Sequence, residues 1–196
     1  MKAYEDVLSG IQLMERNIIT FGDSSDFLDK EKIIQCLDWL NEELKKKGVV
    51  GEMSIVGGAV MCLCYGARVA TRDIDAIFEP KMIIYECAKR ISEEYNLPKD
   101  WLNNGVKGFL SENSAFKRYK EMSNLYIYVA SPEYMLAMKC LSARLDNLDE
   151  IDDIKFLIKY LKLNSLEQVI DVITKYYPIR RFLPKVQYAI IEMLDE

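Results

Sequence analysis

The chain has 196 residues, half of them hydrophobic and 29% charged, enough apolar content for one globular domain with a real core. A net charge of −5 argues against a protein that coats nucleic acid non-specifically, while leaving room for a local basic patch at an acceptor site. There is no histidine, which excludes Cys/His zinc centres and Ser-His-Asp or Cys-His hydrolases and leaves carboxylates, Lys, Tyr or Cys as general bases.

No run approaches the ~18 apolar residues of a membrane span. The opening MKAYEDVLSG is unlike a secretory signal. The five cysteines (36, 62, 64, 87 and 140) sit in apolar helical contexts and read as buried, reduced thiols of a cytoplasmic protein.

The periodicity predicts a first helix over Tyr4–Arg16 and a Gly/Asp/Ser linker over Phe21–Leu28. A second helix follows over Asp29–Lys47, with Ile33, Ile34, Leu37, Leu40 and Leu44 at helical spacing. Asp29 is its N-cap, Lys45–Lys47 suit the C-terminal dipole, and Gly48 stops it.

The most informative stretch runs from Ile55 to Glu79. Met53–Val56 is a short strand ended by Gly57-Gly58, and Ala59–Tyr65 has the composition of a short buried helix. Two glycines there let the backbone turn sharply and approach a ligand closely, and a helix start favours phosphate. They could also simply make a tight turn. After the loop Gly66–Arg72, the strand Asp73–Phe78 alternates Asp73 and Asp75 against Ile74, Ala76 and Phe78. Same-face neighbours lie roughly 6–7 Å apart, so both carboxylates can reach one or two divalent ions, and hard oxygen ligands suit Mg²⁺. The bland alternative is a pair of ordinary acids facing solvent. Among apolar neighbours, isolated carboxylates are costly unless neutralised.

Pro80 ends this strand, Lys81–Tyr95 forms a helix, and Asn96-Leu-Pro98 closes it. A turn and a short strand Val106–Leu110 follow, then a polar surface segment Ser111–Ser123. Leu125–Ala130 is a clear β run, and Ser131-Pro132 starts a helix to Leu145. Further helices are expected from Asp149 to Leu161, from the capping box Ser165…Gln168 to Tyr176, and over Ile179–Leu194. Strands come early and helices late, which makes the class α+β. Residues 1–50 supply N-terminal helices packing on the core, 51–131 the core, and 132–196 a helical part of the same domain.

Gly57-Gly58, the short helix, Arg68-x-x-Thr71-Arg72-Asp73-Ile74-Asp75 and the downstream Lys139-x-x-x-Ala143-Arg144 together resemble the nucleotidyltransferase superfamily, roughly from Gly51 to Leu161. Within it they look like the abortive-infection and toxin–antitoxin type or a related bacterial domain. The resemblance implies a nucleotidyltransferase-like small mixed sheet flanked by helices, with a helical C-terminal half. It also implies an NTP substrate and one or two Mg²⁺ ions on Asp73 and Asp75. Asp73, Asp75 and Lys139 would be catalytic, and Gly57, Gly58, Arg68, Thr71, Arg72, Lys139 and Arg144 would bind nucleotide. Other readings stay open: Arg68 and Arg72 could anchor the loop on an acid or be solvated, and Lys139 could snorkel to the surface. Arg144, Asp152 and Asp153 fit the family's pattern, or equally a salt bridge between helices. The implied acceptor is an RNA or protein hydroxyl, and a cognate toxin or antitoxin protein is an expected partner. Polymerase-like members carry a third carboxylate on a neighbouring strand. The strand expected there, Asn124–Ala130, has none, and Glu121, Asp100 or Glu133 would have to substitute. A catalytically degenerate binding module is therefore the alternative.

Overall fold

The structure is a computed structural model that describes residues 27–195. The expected first helix and most of the linker lie outside the described residues. The described chain opens with β1 (Leu28–Asp29) and α1 (Lys30–Lys46), where the Asp29 side chain caps the helix by accepting from the Lys32 amide. Then come β2 (Gly51–Val56) and α2 (Gly57–Val60), the latter running straight into a π-helical turn Met61–Tyr65. β3 (Ala70–Thr71), β4 (Ile74–Glu79) and α3 (Lys81–Tyr95) follow. β5 (Leu102–Asn103), a 3₁₀ turn Gly105–Phe109, β6 (Phe116–Glu121) and β7 (Leu125–Ala130) complete the sheet region. The last part is helical: α4 (Pro132–Ser142), α5 (Leu148–Tyr160), α6 (Leu166–Thr174) and α7 (Pro184–Asp195). The architecture is α+β, as expected.

The five-stranded mixed sheet has the order β5-β4-β2-β7-β6, and β1 pairs with β3 in a separate two-stranded ribbon. β2 is antiparallel to β4 and parallel to β7. In the β2–β4–β7 register, Met53, Ile55, Ala76, Phe78, Ile127 and Val129 share one apolar face with Gly51 and Leu125. That face packs on α1 and α3: a Cβ at Gly51 would meet Leu44 of α1, Ile84 of α3 and Leu125 within 3.4 Å. The opposite face carries Ser54, Asp75, Ile77 and Tyr128, all half-buried. Here Val56, Asp75 and Asn103 form one row across β2, β4 and β5. α4 is buried on nearly every side, through Tyr134, Met135, Leu136, Ala137, Met138 and Cys140, and it packs between the sheet's end and the later helices.

Three expectations need correction. Val106–Leu110 is not a strand. Gly105 starts a 3₁₀ turn, and the strand lies earlier, at Leu102–Asn103, where the Ile74 amide donates to the Trp101 carbonyl and buried Trp101 bonds the Ala88 carbonyl. Ser111–Ser123 is not all loop. Phe116–Glu121 is the edge strand, and an irregularity between Arg118 and Lys120 breaks the alternation that would have revealed it. The expected final helix is split into a 3₁₀ turn Ile179–Arg181 and α7, which starts at Pro184. Boundaries shift too: β4 starts at Ile74 and leaves Asp73 just before it, α4 ends at Ser142, α5 is capped by Asn147, and α6 ends at Thr174.

Candidate active site

The glycine pair and the acid pair meet. Gly57 holds φ of +68°, a left-handed conformation that disfavours any side chain, and a Cβ built on it would lie 2.9 Å from Asp75 Oδ2. Asp75 therefore lies against bare backbone at the start of α2. Gly58 is as tightly approached on its other side, since a Cβ there would come within 2.5 Å of Thr71 Oγ1. Buried Thr71 is held in β3, whose pairing with β1 sets Thr71 opposite Leu28 and Ala70 opposite Asp29. That ribbon clamps the Gly66–Arg72 loop over the helix start. The loop itself leaves the π turn through Gly66, whose amide and that of Ala67 both return to the Met61 carbonyl.

These residues line a polar cleft of about 520 Å³, together with Phe27, Arg68, Arg72, Asp73, Lys139, Arg144, Asn147, Asp149 and Glu150. Every site residue expected from the sequence borders it. A second, mostly apolar hollow of about 240 Å³ adjoins it, lined by Val56, Val106, Phe109, Met135, Met138 and Ser142. The two share Gly57, Asp75, Lys139 and Glu150, so a molecule can occupy both.

The acids are set in unequal surroundings. Burial, the neighbouring Asp75 and Asp100 push the Asp73 carboxyl up to about 6, against the opposing bond from Asn103 and the charge of Arg72. Burial also raises Asp75, offset in part by Asn103 and Lys139. Neither forms an ion pair with a side-chain cation within 4 Å among the described residues. Two neighbouring carboxylates, one against a glycine backbone and the other on the Asn103 amide, both short of positive charge, fit a divalent cation by donor chemistry. No group of three metal-binding side chains exists among the described residues, so Asp73 and Asp75 would supply the protein's share and ligand oxygens or water the rest.

Arg68 and Lys139 converge on a different acid. Arg68 grips Asp153 in a two-pronged pair, Nε to Oδ1 at 2.8 Å and Nη2 to Oδ2 at 2.7 Å, and Nη2 also donates to the Asp149 carbonyl at 2.9 Å. Lys139 Nζ reaches the same Oδ2 at 2.6 Å. Asp153 is only 2% exposed. Burial alone would lower the Arg68 guanidinium, but the bonds and charge of Asp153 outweigh it and raise the pKa. Loop anchoring thus accounts for Arg68, and Lys139 stands between this network and Asp75. Arg144 borders the cleft, yet its side chain clasps Glu150 at 2.6 and 3.0 Å, and its amide donates to the same carboxylate. Despite the burial of Glu150, those bonds lower its carboxyl. Arg72 instead places its guanidinium over the Phe27 ring, 5.8 Å from the centroid.

A family model described as Nucleotidyltransferase of unknown function (DUF6036) matches residues 31–182, which span both the cleft and the helices behind it. The chain belongs to this nucleotidyltransferase family. Neither curated proteins nor solved structures give a match.

The strand expected beside the acid pair, Asn124–Ala130, is not its neighbour. β7 neighbours β2, whereas β4 is flanked by β2 and the two-residue β5. That strand puts Asn103 opposite Asp75, and its Nδ2 donates to Asp73 Oδ2 at 2.7 Å. Of the acids considered as substitutes, Glu121 pairs with Arg118, and neither Asp100 nor Glu133 lines the cleft. Glu150, which borders both hollows, was missed. It is one acid in the run LDEIDD of α5, and nothing in its spacing distinguishes it.

Proposed function

We propose that this chain is a Mg²⁺-dependent nucleotidyltransferase that moves a nucleoside monophosphate from an NTP to a hydroxyl of RNA or protein. The observation that carries this is the meeting of a bare glycine turn with two cation-poor carboxylates in one cleft. The triphosphate runs along the polar cleft past Gly57 and Gly58, and the nucleoside enters the apolar hollow. Asp73 and Asp75 would hold Mg²⁺, which would supply charge neutralisation to the triphosphate and Lewis acidity at the α-phosphoryl group. Lys139, with hydrogens to spare beyond Asp153, faces the negative charge that grows on the leaving pyrophosphate. The acceptor oxygen attacks the α-phosphorus in line, the bond to the bridging oxygen breaks, and pyrophosphate leaves. The acceptor's proton passes to water, since Asp153 and Glu150 are both held by cations.

The test is incubation with each α-labelled NTP, Mg²⁺, total RNA and cell lysate. Label transfer by the native chain, reduced about a hundredfold or more in Asp75→Ala, supports the reading. No transfer to any acceptor, or equal transfer by the variant, refutes it.

A second reading is a catalytically degenerate module acting in a toxin–antitoxin style pair. It is favoured by Asn103 lying beside the acid pair and by Arg68, Lys139 and Arg144 being already engaged by acids. It predicts nucleotide binding without turnover and a stable complex with the product of a neighbouring gene.

A further inference from the structure

Asn103 joins the two halves of the site. Its Oδ1 accepts from the Gly105 amide at 2.9 Å, at the start of the 3₁₀ turn that carries Val106 and Phe109 into the wall of the apolar hollow. Its Nδ2 donates to Asp73. The first bond decides the second: with the carbonyl oxygen committed to a backbone N–H, the NH₂ group must face the carboxylates. Asp73 lies just outside β4, where no ladder bond within β4 fixes it, and its like-charged neighbour Asp75 repels it. Without a donor on the far side, its carboxylate is free to turn outward.

We propose that Asn103 is a positioning residue for the acid pair. It holds Asp73 at the angle from which Asp73 and Asp75 take one divalent ion together, and it ties that angle to the wall of the nucleoside hollow. The proposal rests on the metal-site part of the nucleotidyltransferase reading and assigns a residue that reading leaves without a role. Groups that orient metal ligands are commonly worth 10–100-fold in metal affinity, about what one charge-assisted bond and a lost rotamer preference supply.

The experiment is Mn²⁺ titration of the full chain without nucleotide, followed by electron paramagnetic resonance, with melting measured in chelator. Asn103→Ala is expected to weaken Mn²⁺ about tenfold. Added to Asp73→Ala, it should weaken binding by less than it does in the native chain, because only its influence on Asp75 is left; a merely structural asparagine would penalise both backgrounds equally. Asn103→Asp keeps the acceptor for Gly105 while replacing the donor by a third negative charge. It should melt lower than the native chain in chelator and gain more from Mn²⁺. Unchanged Mn²⁺ affinity in Asn103→Ala, an additive loss in the double variant, or a Mn²⁺ gain in Asn103→Asp no larger than native overturns the proposal. If label transfer persists in the native chain alongside such a result, the enzymatic reading stands alone. Failure of the native chain to bind Mn²⁺ sinks both.

Discussion

Asp75 and Asp153 are both half or fully buried aspartates near Lys139, and they are handled in opposite ways. Asp153 holds two cations within 2.7 Å and joins the Arg68 loop, α4 and α5 into one unit. Asp75, with Asp73 beside it, leans on a glycine backbone and a neutral amide. An acid with its cations built in is architecture; an acid pair left short of them is a place for a cation to arrive. The difference predicts which carboxylate the fold depends on.

The sharpest way to break the comparison is Asp153→Ala. It strands two largely buried cations, and losing one partner of a buried ion pair costs about 3–5 kcal/mol. Denaturant unfolding should show this loss, whereas Asp75→Ala, which removes an unpaired acid, should leave stability unchanged or raise it. Equal losses in the two would erase the distinction.

Gly58→Ala tests the glycine side. Its methyl would lie 2.5 Å from Thr71 Oγ1, so the loop must shift, at about 1–3 kcal/mol. Combining it with Thr71→Ala, which removes the offending oxygen, should recover part of that stability. A double variant no better than the single would show that the close approach is not what costs.

The smallest effect concerns Asp73. Its carboxyl stands at about 6 in the fold against an ordinary 3.8, so folding favours the protonated form. In chelator, stability should therefore decline on this group's account as pH rises from about 4 to about 6, then level off. The decline should disappear in Asp73→Asn. Denaturation curves of the two chains across that range measure it, and parallel pH profiles would remove Asp73 from the account.

Elements with strong local signals were legible in the chain. α1 had its cap at Asp29 and five apolar residues at helical spacing, α3 runs over Lys81–Tyr95 as read, and β7 is the apolar run Leu125–Ala130. β6 was hidden because a strand facing solvent is mostly Lys, Arg and Glu, and its irregularity shifts the alternation. β5, two residues within a Gly/Asn-rich stretch, is created by its neighbour β4 rather than by its own propensity. The same limits applied at the site. Paired glycines and Asp-x-Asp announce themselves, but which acid Arg68 and Lys139 would choose depends on α5 folding back against the loop. Asn103 carried no charge to draw notice. In Ser165…Gln168 the cap formed as expected, while the Gln168 side chain reached one residue further back, to the Asn164 amide.

One tyrosine changes how the chain can be cut. The Tyr177 hydroxyl, beyond α6, donates to the carbonyl of Phe109, and Ser111 bonds both Tyr134 and the Tyr176 carbonyl close by. The tail is thereby fastened to the hollow's outer rim. A minimal fragment stopping after α4 would keep Gly57-Gly58, Asp73, Asp75 and Lys139, yet lack the brace that shapes the compartment beside them.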